Sequence, residues 1–275
     1  MPTVYLDYNI IAKVAGFPVS PVAEAWREAI KRLSGMGYHF ALSGWHAYEL
    51  AKSDNEQHVD ACCRFVEEVS PIWLSNNIFV KRDELARFRG SMDGNAGQPV
   101  RAFNQVISQM WATHGPFVII GESFRNTVEA LRISPGALEE INNAASETPR
   151  AIQDSRDALA EGRYALSQNI VDRVYFADLV NRHDTEYLEY ILDHIDQVFL
   201  ECPTIAIEEQ LTKIRVRDNF QPTDSDAADL QHALVALAYC DHFVSDDKRL
   251  VRHSKEAVQT CGLPCYVHRN PTTIQ

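Results

Sequence analysis

Residues 223–252 constrain the fold more than any other stretch of the chain, because they combine an amphipathic helix with a short buried strand. Asp226 and Asp229 stand where the helix begins. The apolar residues that follow recur at the spacing of one buried helical face: Leu230, Ala233, Leu234, Leu237 and Ala238. The sequence HFVS then predicts a strand, which ends in Asp246 and Asp247. A helix followed by a short buried strand is typical of an α/β sheet, in which ligands bind at the carboxyl ends of the strands.

The start of the chain predicts a second strand with an acidic end. Residues 3–7, TVYLD, are rich in β-forming side chains and finish in Asp7, and Asn9 follows two residues later. The opening strand of an α/β domain is usually central in the sheet, so its last residue lies at the edge where ligands bind. A single Asp in this place is more often a turn or cap residue. Asp7 therefore becomes a site candidate only together with other carboxylates.

A helix and a second strand follow. Residues 21–34 predict an amphipathic helix, and residues 39–43 predict the strand. Ser43 is a suitable N-cap for the next helix, whose first turns carry Glu49. A Glu on a helix is normally solvated, so Glu49 matters for function only if that helix begins opposite Asp7.

The middle of the chain has few turn signals and predicts mostly helices. Three elements come first: a helix at residues 56–69, a strand at 78–80 and a helix at 101–113. The clearest helical patterns beyond them cover residues 138–145, 151–166 and 187–199. No Gly-rich phosphate loop, Ser-centred nucleophile elbow or close pair of histidines occurs there. We therefore expect a helical insertion within an α/β framework.

Composition limits the functional classes. The chain has 275 residues and a net charge of −12, which argues against a surface built for non-specific nucleic-acid binding. A nucleic-acid enzyme stays compatible with this charge, because bound metal cations neutralise active-site carboxylates. No apolar run is long enough to span a membrane and no secretory signal begins the chain, so we expect a cytoplasmic protein. The cysteines lack CxxC and zinc-site spacing and are expected to be reduced: Cys62, Cys63, Cys202, Cys240, Cys261 and Cys265.

Two groups of basic residues flank the acidic segment. Lys213, Arg215 and Arg217 precede it, and Lys248 and Arg249 follow it. Such groups are most often solvated surface. Here they would surround the carboxylates with positive charge, as contacts to phosphate groups require.

Four acidic residues share one kind of position, near strand ends or helix starts: Asp7, Glu49, Asp229 and Asp247. Separated carboxylates of this kind suit Mg²⁺ and Mn²⁺, which take oxygen ligands. Two such ions can bind a phosphodiester, generate hydroxide and stabilise the leaving oxygen. The fourth acidic residue of the site could be Asp246 or Asp247, because the two are adjacent. The spacing from Asp229 favours Asp247. Asp226 is either the helix N-cap, which we prefer, or a further ligand.

In these segments the chain resembles the PIN-domain family of metal-dependent ribonucleases. The matching sequences are VYLDYNII at the start, SGWHAYELA after the second strand and DLQHALVALAYCDHFVSDDKRL near the end. The resemblance implies a PIN-like α/β/α sandwich with a central, mostly parallel sheet. We expect a single domain over residues 1–275, with the helical insertion at approximately residues 80–205. The resemblance also implies a metal-dependent endoribonuclease, with Mg²⁺ or Mn²⁺ held by the four acids, that leaves 5′-phosphate and 3′-hydroxyl ends.

Further residues enter through the same resemblance. Ser245 occupies the hydroxyl position of the family's last motif, and Asn9 follows Asp7 as a small or amide residue does in the family. His232 matches a variant of the helix motif. These residues, with Asp226 and the basic residues named above, are expected near the substrate. His232 could contact substrate or a metal-bound water, but a structural hydrogen bond is the commoner role of such a histidine.

Several functions fit this resemblance. The leading hypothesis is the toxin of a toxin–antitoxin pair, with RNA as substrate and an antitoxin or another regulatory protein as partner. A homo-oligomer is a further expectation, and no membrane partner is expected. The alternative is a catalytically inert PIN-like module that binds a protein, which the acidic charge and the long insertion favour. A phosphotransfer domain with an Asp acceptor fits less well, because the first strand lacks Asp-x-Asp.

Overall fold

The computed structural model describes most of the chain. It covers residues 1–16, 20–92, 94, 97–113, 123–134, 136, 173, 175–180, 184–218 and 224–275, and for Met92, residues 224–229 and His232 it describes the backbone alone. The helices predicted at residues 138–145 and 151–166 lie outside the described residues. No described helix is both long and apolar enough to cross a membrane. All six cysteines are free thiols, as expected, and five of them are buried.

The described residues form one six-stranded sheet in the order β4-β3-β2-β1-β5-β6. Its strands are β1 Thr3–Leu6, β2 His39–Leu42, β3 Ile72–Leu74, β4 Phe103–Asn104, β5 His242–Val244 and β6 Tyr266–His268. Every pairing is parallel except that of β4 with β3 at one edge. The structure thus confirms an α/β fold with a mostly parallel sheet.

Helices connect the strands, and local sequence signals set their ends. They are α1 Tyr8–Ala15, α2 Pro21–Gly35, α3 Gly44–Ala51, α4 Glu56–Val69, α5 Asn77–Met92, α6 Ile107–Ala112, α7 Phe124–Arg132, α8 Thr185–Asp193, α9 Ile195–Glu201, α10 Pro203–Arg217, α11 Asp224–Tyr239 and α12 Lys248–Cys261, with a short 3₁₀ turn at Pro271–Thr273. The Ser20 side chain accepts a hydrogen bond from the Ala23 N–H, and Pro21 occupies the first turn, so α2 begins there. Gly262, with φ 64°, ends α12.

Helices cover both faces of the sheet, because successive residues of a strand point in opposite directions. Val4 and Leu6 of β1 pack in a cluster with residues of α1, α2 and α4. Tyr5, between them, packs with residues of α10, α11 and α12 on the other face. Burying a side chain such as Val4 or Leu6 stabilises the folded chain by about 1.5–3 kcal/mol. The apolar alternation within one strand therefore builds three layers.

The strand order reverses between β1 and β5. After β1 the chain adds β2 and β3 on one side, and it later places β5 and then β6 on the other side of β1. In a doubly wound sheet a crevice opens at such a reversal, outside the carboxyl ends of the two strands. The residues that follow β1 and β5 at this point are Asp7 and Ser245.

The stretch predicted as a helical insertion, residues 80–205, divides between two parts of the structure. Leu85 of α5 packs with Tyr187 of α8 and Val198 of α9 in a third apolar cluster. In contrast, β4 extends the sheet, and Trp111 of α6 packs in the cluster that contains α1. The residues around β4 and α6 therefore belong to the α/β framework.

The predicted strand at residues 78–80 is wrong. These residues form the first turn of α5, and the third strand is instead Ile72–Leu74. The Asn76 side chain accepts a hydrogen bond from the Ile78 N–H at 2.9 Å, which favours the start of a helix. A short apolar run in the sequence fits both a strand and the first turn of a helix, so it did not distinguish between them.

Two predicted helices are interrupted. Residues 101–113 become helical only from Ile107, because Phe103–Asn104 pairs with β3. Residues 187–199 belong to α8 and α9, which meet at His194, where φ −120° and ψ 30° leave the helical region. The periodicity indicated helices in both places but did not mark their breaks.

Candidate active site

A row of buried polar side chains follows the parallel strands. Asp7 comes directly after β1, Ser43 after β2, Ser75 after β3 and Ser245 after β5. The carboxyl ends of parallel strands meet at one edge of a sheet, so these side chains share that edge. Because buried polar groups need hydrogen-bond partners, their partners define two neighbouring sites, one around Asp7 and one around Ser75.

The Asp7 carboxylate is buried at this edge, with 2% of the residue's surface exposed. Ser245 Oγ donates a hydrogen bond to its Oδ2 at 2.6 Å, and Asn9 Nδ2 donates to the same oxygen at 2.8 Å. The Tyr8 N–H donates to Oδ1 at 2.8 Å, which also caps α1. Donors on both oxygens compensate for the water that the carboxylate loses on burial.

Ser245 connects Asp7 to Asp247. Its hydroxyl oxygen accepts a hydrogen bond from the Asp247 N–H at 3.2 Å while the hydroxyl donates to Asp7. The Asp247 side chain caps α12, since its Oδ1 accepts from the N–H groups of Arg249 at 2.6 Å and Leu250 at 2.8 Å. The backbone of Asp247 is therefore tied to the Asp7 site, and one carboxylate oxygen stabilises the start of α12.

Asp246 has different partners from its neighbour. Its carboxylate forms ion pairs with Lys13 and with Arg269, the latter at 3.3 Å. Its N–H donates to Asn9 Oδ1 at 3.1 Å. The negative charge of Asp246 is thus compensated by two cations, which supports the choice of Asp247 as the fourth candidate ligand.

Glu49 lies on α3, which a buried histidine holds against β1. The His46 ring accepts a hydrogen bond from the Ser43 N–H at 3.1 Å, and its Nε2 lies 2.8 Å from the Leu6 carbonyl oxygen. Glu49 itself is partly buried rather than solvated. Burial raises the pKa of its carboxyl to about 7, against a smaller opposing effect of Lys52.

Tyr5 indicates that Asp7 and Glu49 face a common region. Burial raises the pKa of the Tyr5 phenol well above its usual value, and the negative charge of Asp7 raises it further, with a smaller effect from Glu49. Both carboxylates are therefore near enough to one phenol to act on it electrostatically. Tyr5 also hydrogen-bonds to Ser43, the residue that follows β2.

Asp226, Asp229 and His232 lie on α11, and the structure describes only their backbone. The predicted N-cap at Asp226 is wrong, because α11 begins at Asp224 and Asp226 is its third residue. The side chain of Gln231, two residues after Asp229, accepts a hydrogen bond from Asn77 at the start of α5. This contact brings α11 over the carboxyl edge near β3. The convergence of Asp229 with the other carboxylates stays a prediction.

The donor atoms at this edge suit a hard divalent cation in chemistry, because they are carboxylate and hydroxyl oxygens. Among the described side chains, however, no group of three or more Asp, Glu, His or Cys residues could hold a metal ion. Asp7, Glu49 and Asp247 are thus not brought together as one metal-binding group.

The predicted basic contacts separate into two groups. Lys248 and Arg249 are exposed at the start of α12, beside Asp247. Lys213 lies on α10 and pairs with Glu209 at 3.0 Å. Arg215 is buried with 4% exposure, contrary to its predicted contact with a substrate phosphate. Arg215 lies on the buried side of α10, next to the buried residues Ile214 and Val216.

A cleft beside the carboxylates was missed in the sequence. Its cavity volume is about 10 Å³, room for about one water molecule, between the carboxyl ends of β2 and β3 and the side of α11. We call it the amide cleft; its polar and aromatic lining is Ser43, Trp45, Ser75, Asn76, Asn77 and Gln231. The signal that could have revealed it is the sequence SNN at residues 75–77, which follows β3 directly and precedes the residues 78–80 that were predicted as a strand.

Comparison with known proteins gives no match: no family model, no curated protein and no solved structure matches this chain. Membership of the PIN-domain family therefore stays a prediction from the motifs around Asp7, Glu49, Asp229 and Asp247.

Removing the Ser245 hydroxyl should destabilise the fold. Ser245→Ala leaves the buried Asp7 carboxylate one donor short, which costs about 1–3 kcal/mol. We expect urea unfolding to show a fall of that size in the free energy of unfolding. Ser254→Ala is the matched control, because Ser254 is equally buried but its hydroxyl has no hydrogen-bond partner among the described residues. Equal losses in the two variants would contradict the role of Ser245.

Glu49 should make stability depend on pH. The folded carboxyl keeps its proton up to about pH 7, whereas an ordinary one loses it near 4.5. The resulting stabilisation is complete below about pH 4.5 and is lost as the pH rises through about 7. Glu49→Gln cannot ionise, so it should gain up to about 3 kcal/mol over the parent at high pH.

Urea unfolding in metal-free buffer, on both sides of neutral pH, measures this difference. Glu68→Gln, on the exposed side of α4, is the control. Parallel pH profiles of the parent and Glu49→Gln would show that the Glu49 carboxyl is not buried as described.

Proposed function

We propose that this chain is a metal-dependent endoribonuclease whose site lies at the strand-order reversal between β1 and β5. The observation that carries the proposal is the buried Asp7, hydrogen-bonded to Ser245 across that reversal and connected through it to Asp247. A chain rarely buries a carboxylate without a reason, because burial of the charge is costly. The position matches the place where doubly wound sheets bind ligands.

The residues of the site would have separate roles in metal-dependent hydrolysis. Mg²⁺ or Mn²⁺ bound by Asp7, Glu49, Asp229 and Asp247 would supply a water nucleophile of lowered pKa and a charge opposite the leaving oxygen. Ser245 and Asn9 orient the Asp7 carboxylate through the hydrogen bonds to its Oδ2. Lys248 and Arg249, exposed beside Asp247, can bind RNA phosphates.

Glu49 couples metal binding to pH. Burial raises the pKa of its carboxyl to about 7, so it is partly protonated near neutral pH without a metal. A carboxyl must be ionised to bind a metal ion, so Mg²⁺ or Mn²⁺ would bind at Glu49 more tightly as the pH rises through about 7.

A catalytically inert protein-binding module is the second candidate. It is favoured by the lack of a three-member metal-binding group among the described side chains. The helix-capping bonds of Asp7 and Asp247 also give both carboxylates a structural role without any metal. Metal binding distinguishes the two functions.

Removing the central carboxylate should abolish cleavage. Asp7→Asn keeps the size of the side chain but removes its charge, and loss of a metal ligand should reduce Mn²⁺-dependent RNA cleavage by more than about a hundredfold. Single-stranded and structured RNAs, with Mn²⁺ or with EDTA, provide the assay. Asp241→Asn is the control, because Asp241 bonds Thr3 at the opposite end of β1 and β5. Full cleavage by Asp7→Asn would refute the proposed site.

Mn²⁺ should raise the melting temperature of the parent chain. Binding to the folded state stabilises it by about 2.7 kcal/mol when the free ion exceeds its Kd a hundredfold. The shift should disappear in Asp229→Asn if α11 supplies the missing ligand. An unchanged melting temperature in the parent would favour the inert module instead.

A further inference from the structure

We propose that Lys13 and Arg269 form a binding site for a backbone phosphate of RNA, and that the Asp246 carboxylate occupies this site until RNA displaces it. This inference rests on the proposed ribonuclease function. Its basis is the meeting of two cations from distant elements, α1 and the residue after β6, on one partly exposed carboxylate. We call Lys13 and Arg269 the cation pair.

The cation pair holds Asp246 through both of its carboxylate oxygens. The Lys13 ammonium contacts Oδ2, and the Arg269 guanidinium donates to Oδ1 at 3.3 Å. A phosphodiester likewise shares one negative charge between two non-bridging oxygens, and Lys and Arg bind phosphate as they bind carboxylate. The arrangement around Asp246 therefore also fits a backbone phosphate.

Each cation has a second contact that does not involve the Asp246 carboxylate. The Arg269 guanidinium also donates to the backbone carbonyl oxygen of Asp246 at 3.1 Å. The Lys13 ammonium lies 4.8 Å from the centre of the Trp26 ring, which is within the range of a cation–π interaction. These contacts keep the cation pair in position when the Asp246 side chain turns away, so the phosphate site is preorganised.

The cation pair is accessible to a large polyanion. The side chains of Lys13 and Arg269 are 41% and 43% exposed. An ion pair in contact with water contributes only about 0.2–1 kcal/mol, so exchanging the Asp246 carboxylate for a phosphate costs little. Lys81, in contrast, is buried with its partner Glu208, and that pair is closed to such an exchange.

The cation pair lies beside the carboxylate site. The Asp246 N–H donates to Asn9 Oδ1 at 3.1 Å, and Asn9 Nδ2 donates to Asp7 Oδ2 at 2.8 Å. Lys13 follows Asn9 by four residues on α1, so both side chains lie on one side of that helix. The cation pair therefore anchors RNA next to Asp7.

This role makes Asp246 the opposite of a metal ligand. Its carboxylate competes with RNA for the cation pair, so removing its charge frees both cations. Asp246→Asn should therefore bind RNA about fivefold more tightly than the parent. The gain should shrink when Lys13→Gln and Arg269→Gln are already present, because the freed cations are then absent.

Fluorescence anisotropy with labelled oligouridylate and oligoadenylate in EDTA tests the site without metal chemistry. We expect Lys13→Gln and Arg269→Gln each to weaken binding of both RNAs about fivefold, because a phosphate contact carries no sequence information. Each variant should also reduce the slope of log affinity against log salt by about 0.7. Arg269→Lys keeps the charge and should keep the slope.

The matched controls are Arg173→Gln and Glu189→Gln. Arg173 and Glu189 form an equally exposed ion pair at α8, on the helical part of the chain, and both variants should keep the RNA affinity of the parent. Melting temperatures recorded alongside identify a variant that fails to fold. If Arg269→Gln does so, Lys13→Gln, on another element, provides the test.

The outcomes separate this inference from the function on which it rests. Unchanged RNA affinity in folded Lys13→Gln or Arg269→Gln, or no tightening in Asp246→Asn, overturns the phosphate site, while Mn²⁺-dependent cleavage by the parent still supports the ribonuclease. Absence of both RNA binding and RNA cleavage in the parent overturns both. Weaker binding without the cations and tighter binding without the Asp246 charge, with unchanged controls, support the site.

Discussion

The hydrogen bond from Ser245 to Asp7 is the interaction on which the candidate site depends. It joins residues 238 positions apart, where the carboxyl ends of β1 and β5 meet in the described sheet. Because the Asp7 carboxylate is buried, its charge must be compensated by donors, and Ser245 and Asn9 provide them. The Ser245 hydroxyl oxygen also accepts a hydrogen bond from the Asp247 N–H. Ser245 therefore links the start of α1 to the start of α12.

Double winding explains why the polar residues collect at this edge. The apolar side chains of each strand are used on the two faces, where they pack against helices. The residue after each strand is free of that packing and can be polar, as Ser43, Ser75 and Ser245 show. Two neighbouring sites result, one of carboxylates and one of amides.

Electrostatics at the edge are local rather than a property of the whole chain. The net charge of −12 would repel a polyanion, yet Lys248 and Arg249 lie exposed beside Asp247, and Lys13 and Arg269 compensate Asp246. Burial raises the pKa of Glu49 to about 7, so this acid need not carry a full negative charge near neutral pH. Both effects make the edge less negative than the net charge of the chain suggests.

The sequence by itself determined the α/β class and the positions of Asp7 and Glu49 after β1 and β2, and its resemblance to the PIN-domain family predicted the mostly parallel sheet. Apolar periodicity and capping depend on residues two to four positions apart, so they can be identified without a structure. Only the tertiary structure decided that Glu49 is partly buried, that Arg215 is interior and that residues 75–77 follow a strand. These facts depend on which distant segments pack together, and strand pairing between residues far apart is not encoded in local periodicity.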